Sequence, residues 1–118
     1  MIDHDGYSGT GFARSKAFYT YSLGAIGYRL PADFPAAMTG SGEPSQCEWR
    51  IAAGEGTRPP VCIAGHLASR ALLHRCHAAA LAADDRDNGA PGPRAPCHGA
   101  LGPDSDAHNT ETVCHNPA

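Results

Sequence analysis

Two residues four positions apart, Cys62 and His66, are the best candidates for metal chemistry in this sequence. If a helix starts by Cys62, the two side chains lie one turn apart on the same face. A predicted hairpin would place Cys47 opposite Cys62 as a third ligand. Thiolate and imidazole bind zinc, but a structural zinc site needs four ligands and no fourth is evident. Zinc at Cys47, Cys62 and His66 is therefore one hypothesis, and small buried cysteines beside a solvent-facing histidine are its alternative.

The remaining chemistry-bearing residues form no complete catalytic group. The sequence has no Cys-x-x-Cys, no phosphate-binding loop with GK[ST], and no strand-to-helix elbow around a serine or cysteine. We therefore predict that the protein is not an enzyme.

The composition limits the size of the hydrophobic core that can hold these residues in position. Ile, Leu, Val and Phe together supply only 16 of 118 residues, whereas Ala supplies 21. Burial of so few bulky apolar side chains offsets little of the conformational entropy that the chain loses on folding. Only part of the chain is therefore expected to fold. The net charge of -3 gives no broad electrostatic footprint for nucleic acid, and no apolar run is long enough to span a membrane. The N-terminus lacks a secretory signal, which predicts a cytoplasmic protein with no membrane association.

The elements are predicted from periodicity and turn residues. Residues 17–23 alternate with aromatic enrichment, and residues 46–52 alternate with Cys47, Trp49 and Ile51 on one face, so both are predicted strands. Residues 61–63 are a candidate partner strand for 46–52. Residues 64–83 are rich in Ala and Leu and predict a helix.

These elements predict an α+β fold with a small marginal core, made of one or two β-hairpins packed on one helix. The predicted organisation is a flexible loop over 1–14, a core over 15–83 and a disordered tail over 84–118, where nine of 35 residues are Pro or Gly. No internal repeat is visible.

Two short segments resemble known families. Asp5 to Arg14 (DGYSGTGFAR) resembles a loop in the catalytic domain of serine recombinases of the resolvase and invertase group. That resemblance implies that Arg14 contacts a DNA phosphate, although Ser15 replaces the family's proline and the nucleophilic serine that precedes the loop is missing. Tyr19 to Pro31 is more weakly similar to accessory domains of cyanobactin-maturation proteases, which implies an interaction role.

The predicted function is a non-enzymatic accessory or interaction module with a protein partner, or a fragment of a larger protein. Two alternatives stay open. One is a truncated recombinase-like remnant with weak DNA association through Arg14, and the other is a small module stabilised by zinc.

Overall fold

A computed structural model of the chain describes residues 4–34, 37–41, 48–84 and 87–116. The first half forms a four-stranded sheet with strand order β1-β4-β3-β2, in which β1 and β4 are parallel and the other pairs antiparallel. One helix connects β1 to β2. The elements of this module are β1 (Asp5–Gly9), α1 (Phe12–Gly24), β2 (Arg29–Phe34), β3 (Ala37–Ser41) and β4 (Trp49–Ala53).

The second half repeats this arrangement. Its sheet has the strand order β5-β8-β7-β6. As in the first module, the first and last strands of the module, β5 and β8, form the parallel pair. The elements are β5 (Cys62–His66), α2 (Arg70–Asp84), β6 (Gly89–Arg94), β7 (Cys97–Pro103) and β8 (Asn109–Cys114). The chain is therefore two βαβββ modules, and their helices α1 and α2 pack against each other.

The predicted fold of one or two hairpins on a single helix is wrong. The structure has two sheets and two helices, and its internal repeat lies in the topology rather than in matching residues. The predicted hairpin between 46–52 and 61–63 does not form, because β4 pairs with β1 and β3 while β5 pairs with β8 in the other sheet. Cys47 lies outside the described residues.

The strand predicted over 17–23 is part of helix α1. The buried residues of this helix are Ser15, Phe18, Tyr19 and Ser22, which is the spacing of one helical face. The two serines conceal that face from a search for apolar periodicity. Ser22 satisfies its hydroxyl by donating a hydrogen bond to the Phe18 carbonyl at 2.9 Å.

The strand predicted over 46–52 is confirmed in its described part, where Trp49 and Ile51 are buried in β4. The helix predicted over 64–83 begins later, at Arg70, because residues 62–66 form β5. Ser69 caps α2 by accepting a hydrogen bond from the Leu72 amide at 3.2 Å.

The predicted disordered tail is also wrong, because residues 89–114 supply three of the four strands of the second sheet. Backbone pairing between strands does not need bulky side chains. Small residues of these strands, such as Ala100 and Cys114, pack beneath α2 against Leu73 and Cys76. The small size of these side chains therefore allows the strands to pack closely against α2.

The first module has an aromatic core, made of Tyr7, Phe18, Tyr19, Trp49 and Ile51. Ile63 of the second module also packs against this cluster, so the two modules share buried apolar surface. Among the described residues, no helix has the length and apolar character needed to cross a membrane.

Candidate functional site

A chain of donated hydrogen bonds crosses the aromatic core. Trp49 Nε1 donates to the Tyr7 hydroxyl at 3.1 Å, Tyr7 donates to the Tyr19 hydroxyl, and Tyr19 donates to Asp104 Oδ2 at 2.9 Å. Asp104 is fully buried. Every polar atom of the three aromatic side chains is thus satisfied inside the protein, so their rings present apolar surface to anything beside them.

Asp104 and His108 connect this network to both modules. Asp104 Oδ1 accepts the amides of Asp106 and His108, each at 2.9 Å. The Val61 amide donates to His108 Nδ1 at 3.1 Å, so the proton of the neutral ring lies on Nε2, which donates to the Ser8 carbonyl at 3.2 Å. This turn between β7 and β8 therefore holds β1 of the first module in place.

Asp106 in the same turn binds Thr10, two residues before helix α1 begins and 96 positions away in sequence. The Thr10 amide donates to its carboxylate at 3.0 Å, and the Thr10 hydroxyl donates as well. Partial burial acts to raise the pKa of Asp106, but the hydrogen bonds from Thr10 and Gly11 outweigh it and the pKa is lowered. A Cβ at Gly9 would lie 2.6 Å from Asp106 Oδ2, so a larger residue at this position would displace the Asp106 carboxylate.

A cleft of about 180 Å³ opens between the aromatic core and strands β5 and β8. A single water needs only roughly 10–15 Å³ of such space, so the cleft has room for a small molecule. Tyr7, Tyr19 and Trp49 line one side of it, while Ile63 and Leu67 line another. The Tyr19 and Trp49 rings lie with their centroids 4.2 Å apart and their planes inclined by 53°.

The charged residues lining the cleft are all acidic in the part of the chain that the structure describes. They are Asp5, Glu48 and Glu111. Tyr28 donates a hydrogen bond to Glu48 Oε2 at 2.7 Å, which orients that carboxylate. Burial, followed by the hydrogen bond to Glu48 and its negative charge, raises the pKa of Tyr28 to about 12. The site therefore combines aromatic walls with a negative potential.

Burial also raises the pKa of both Tyr7 and Tyr19 above the ordinary value of 10.0, which predicts loss of stability in alkali. The contribution is fully present below pH 10.0 and is lost as the pH rises through the raised values of the folded state. Each tyrosine adds a slope of up to about 1.4 kcal/mol per pH unit. Urea unfolding between pH 9 and 11.5, in steps of about half a unit, measures this slope.

Tyr19→Phe is the matched variant for the alkaline prediction. We expect it to be less stable at neutral pH but to lose stability less steeply above pH 10.0, since it has one buried phenol fewer. A slope unchanged by the substitution would contradict the prediction.

Two of the residues predicted to bind zinc, Cys62 and His66, are not brought together, and the third, Cys47, lies outside the described residues. Cys62 and His66 lie at opposite ends of β5, where four residues span about 13 Å rather than one helical turn. Asn109 Nδ2 donates to Cys62 Sγ at 3.2 Å, and the ring of His66 stacks on that of His115 with centroids 5.5 Å apart. Nowhere in the described ranges do three His, Cys, Asp or Glu side chains form a group suited to a metal ion, so we derive no chemistry through one.

Arg14 lies in the first turn of α1 and is exposed. The DNA-binding role that the recombinase resemblance implied for Arg14 is not tested by the structure. The cleft itself was missed from the sequence, because Tyr7, Trp49 and Glu111 lie on three different strands. The one usable signal was the concentration of aromatic residues near the N-terminus. The prediction placed those of residues 17–23 on a strand, whereas they lie on helix α1.

No protein-family model matches the chain, and no curated protein matches it. Solved structures do resemble it. A glyoxalase/bleomycin resistance protein from Albidiferax ferrireducens T118 aligns with a TM-score of 0.80 at 18% identity, covering 98% of this chain and 99% of that chain. A lactoylglutathione lyase from Agrobacterium tumefaciens gives a TM-score of 0.70 at 8% identity, covering 97% and 92%. A glyoxalase-related enzyme from Fulvimarina pelagi gives 0.74 at 12%, covering 99% and 88%.

The resemblance to serine recombinases is wrong. The segment Asp5 to Arg14 that suggested it forms β1 and the start of α1, and solved structures of glyoxalase-related proteins align along nearly the whole chain. The weaker similarity to cyanobactin-protease accessory domains has no support either. At identities this low the likeness establishes the fold alone. This chain has the fold of the glyoxalase/bleomycin-resistance proteins, built from two βαβββ modules.

Proposed function

We propose that this protein binds small organic cations in the cleft between its aromatic core and strands β5 and β8, without transforming them. The observation that carries the proposal is the pairing of aromatic walls with Asp5, Glu48 and Glu111, which are the charged lining residues of the described cleft. Ring faces and carboxylates both attract a positive charge. Neither attracts an anion.

The internal hydrogen bonds of the aromatic residues support recognition by ring faces. Tyr7, Tyr19 and Trp49 donate their polar hydrogens to one another and to Asp104. A ligand beside them therefore finds few free donors, and its affinity depends on apolar contact, cation–π attraction and the carboxylates.

The function predicted from the sequence is a non-enzymatic accessory or interaction module, or a fragment of a larger protein, and binding without turnover is compatible with the first of these. One structural neighbour is described as a glyoxalase/bleomycin resistance protein, a name that joins an enzyme to drug resistance. Sequestering a compound is a simple way for a protein to protect against it, and it requires only a cleft. We propose that this chain is a protein that sequesters a compound in this way.

Titration with phenyltrimethylammonium, an aromatic cation, tests the proposal directly. Trp49 is the single tryptophan of the chain and lines the cleft, so its fluorescence reports occupancy. We expect saturable quenching by the cation, weaker quenching by neutral benzyl alcohol and none by anionic benzenesulfonate. Equal or tighter binding of benzenesulfonate would contradict the proposal.

Glu111→Gln tests the electrostatic part with little change in shape. We expect it to weaken binding of the cation about threefold to tenfold, which corresponds to roughly 1 kcal/mol for a half-buried carboxylate. Glu55→Gln is the matched control, because Glu55 is exposed in a turn and does not line the cleft. A loss of equal size in both variants would show a general charge effect rather than a site.

A further inference from the structure

Strand β5 lies at the edge of the second sheet, and the outer side of its backbone is open. The Asn109 amide donates to the Val61 carbonyl at 2.8 Å, so the odd-numbered residues of this stretch direct their backbone groups towards β8. The even-numbered residues, Cys62, Ala64 and His66, therefore direct theirs away from β8. Within the described part of the chain, these outward N–H and C=O groups have no hydrogen-bond partner.

The other edge strands are protected against pairing with a further strand. Natural sheets block their edges with proline, bulges or charged side chains, because an open edge is a template for another chain. The opposite edge of the same sheet, β6, contains Pro91 and Pro93 and a register shift, and β2 contains Pro31 and a register shift. On β1, Thr57 takes up the outward amide and carbonyl of Ser8. Strand β5 has neither a proline nor a register shift, so it is open to a partner.

The open edge of β5 borders the acidic cleft. Ala64 and Gly65 line the cleft and are both exposed. Their small size allows the backbone of a ligand to approach closely. Glu111 lies opposite Ala64 in the ladder between β5 and β8, and it lines the cleft too. A ligand in the cleft therefore meets backbone donors and acceptors, a carboxylate and aromatic rings in one place.

We infer that the ligand of the cleft is the amino-terminal end of an extended peptide, which pairs with β5 and places its ammonium group among Asp5, Glu48 and Glu111. The inference rests on the cation-binding proposal and names the class of cation. A peptide supplies the alternating N–H and C=O groups that complete an open strand edge, and its ammonium group complements the acidic lining. A second copy of this chain is disfavoured as the occupant, because pairing of two β5 strands would bring two acidic clefts together.

The register of this pairing determines which peptide nitrogen matters. In an antiparallel pair, the residue opposite Ala64 exchanges both of its backbone hydrogen bonds with it, whereas the next residue directs its N–H away from β5. We assign the position opposite Ala64 to the second residue of the peptide, since the first carries the ammonium group. The amide nitrogen of the second residue is then bonded to the protein, and that of the third residue is not.

Calorimetric titration with alanyl-valyl-alanine amide tests the inference. We expect saturable binding that weakens at least about tenfold when the valine nitrogen is methylated, and that stays within about threefold when the third nitrogen is methylated instead. Acetylation of the amino terminus removes the charge and should weaken binding as well. Equal effects of the two methylations, or no binding of the parent peptide, would overturn the inference.

Phenyltrimethylammonium separates this inference from the proposal on which it rests, because it has no N–H or C=O group to pair with a strand. Binding of that cation without a positional effect of methylation would leave the cation-binding proposal standing and overturn the peptide inference. Failure of both ligands to bind would overturn both. Sedimentation of the protein alone completes the test, since a dimer that the peptide does not dissociate would identify a second copy as the partner of β5 and overturn the inference.

Ala64→Pro removes the outward N–H from the protein side. That N–H is not part of the ladder to β8, and proline is tolerated on edge strands at such positions, so the variant should fold. We expect it to bind the peptide at least about tenfold more weakly than the wild-type protein does. Equal affinity would overturn the inference. Circular dichroism establishes whether the variant is folded, and the two methylated peptides decide the question on the unaltered protein if it is not.

Discussion

A chain that ends at Asp84 should show no cooperative unfolding transition. The truncation removes β6, β7 and β8, which leaves β5 with no neighbouring strand in its sheet. It exposes Leu73 and Cys76, which are buried on the inner face of α2, and it removes Asp104 from the polar network of the first module. Both modules therefore lose buried contacts, and a domain that is stable by only about 5–15 kcal/mol cannot absorb that loss.

Urea titration followed by Trp49 fluorescence and by circular dichroism measures the effect of the truncation. The control is a chain ending at Asn116, which retains every element of the described fold and should unfold like the full chain. A chain ending at Asp84 with a full-length-like sigmoidal transition would restore the prediction of a disordered tail over 84–118 and contradict the structure.

Asp104→Ala should lower the free energy of unfolding by about 3–5 kcal/mol. The substitution leaves three donors without their acceptor, namely the buried Tyr19 hydroxyl, the buried amide of His108 and the half-buried amide of Asp106. Each such loss costs roughly 1–3 kcal/mol, reduced by local relaxation. Because domains of this kind are stable by only about 5–15 kcal/mol, the variant should be close to unfolding at room temperature.

Asp104→Asn discriminates between loss of the acceptor and a change of charge. Its amide oxygen can still accept the two backbone hydrogen bonds, so we expect a smaller loss of about 1–2 kcal/mol. Glu55→Ala, at an exposed turn, should change stability by less than about 0.5 kcal/mol. A loss at Asp104→Ala no larger than that at Glu55→Ala would show that the network does not contribute to stability.

Periodicity succeeded where one element buries one apolar stripe. Trp49 and Ile51 alternate with exposed neighbours in β4, and that alternation was sufficient to predict a strand. The run of Ala and Leu before Asp84 predicted most of α2. In both cases the local pattern and the tertiary environment agree, which is why a local rule was sufficient.

Periodicity failed where polar or small residues are buried. Ser15 and Ser22 complete the inner face of α1, and neither counts as apolar in a sequence pattern. Asp104 and His108 are both buried in a segment whose composition is typical of disorder. Their burial is possible because Asp104 accepts a hydrogen bond from Tyr19 on α1 and His108 bonds to Val61 and to Ser8 of β1. No local rule contains those distant partners.

The placement of Cys62 and His66 on a helix was wrong for a related reason. The spacing of Cys62 and His66 brings two side chains together on a helix and separates them on a strand, and pairing with β8 decided that residues 62–66 are a strand. The cleft, in turn, takes its acidic rim from Asp5, Glu48 and Glu111, which only the packing of the two modules brings to one place.

The sequence by itself determined that bulky apolar residues are scarce, that β4 is a strand, and that a helix ends near Asp84. The tertiary structure decided that the last third of the chain folds, that the two halves share one topology, and that aromatic and acidic residues from both halves line one cleft. The physical reason is that sheet pairing and buried polar bonds join residues up to 100 positions apart. The composition of a segment shows only how much apolar surface its own side chains can bury. These strands are stabilised by hydrogen bonds to strands elsewhere in the chain, which the composition of the segment does not show.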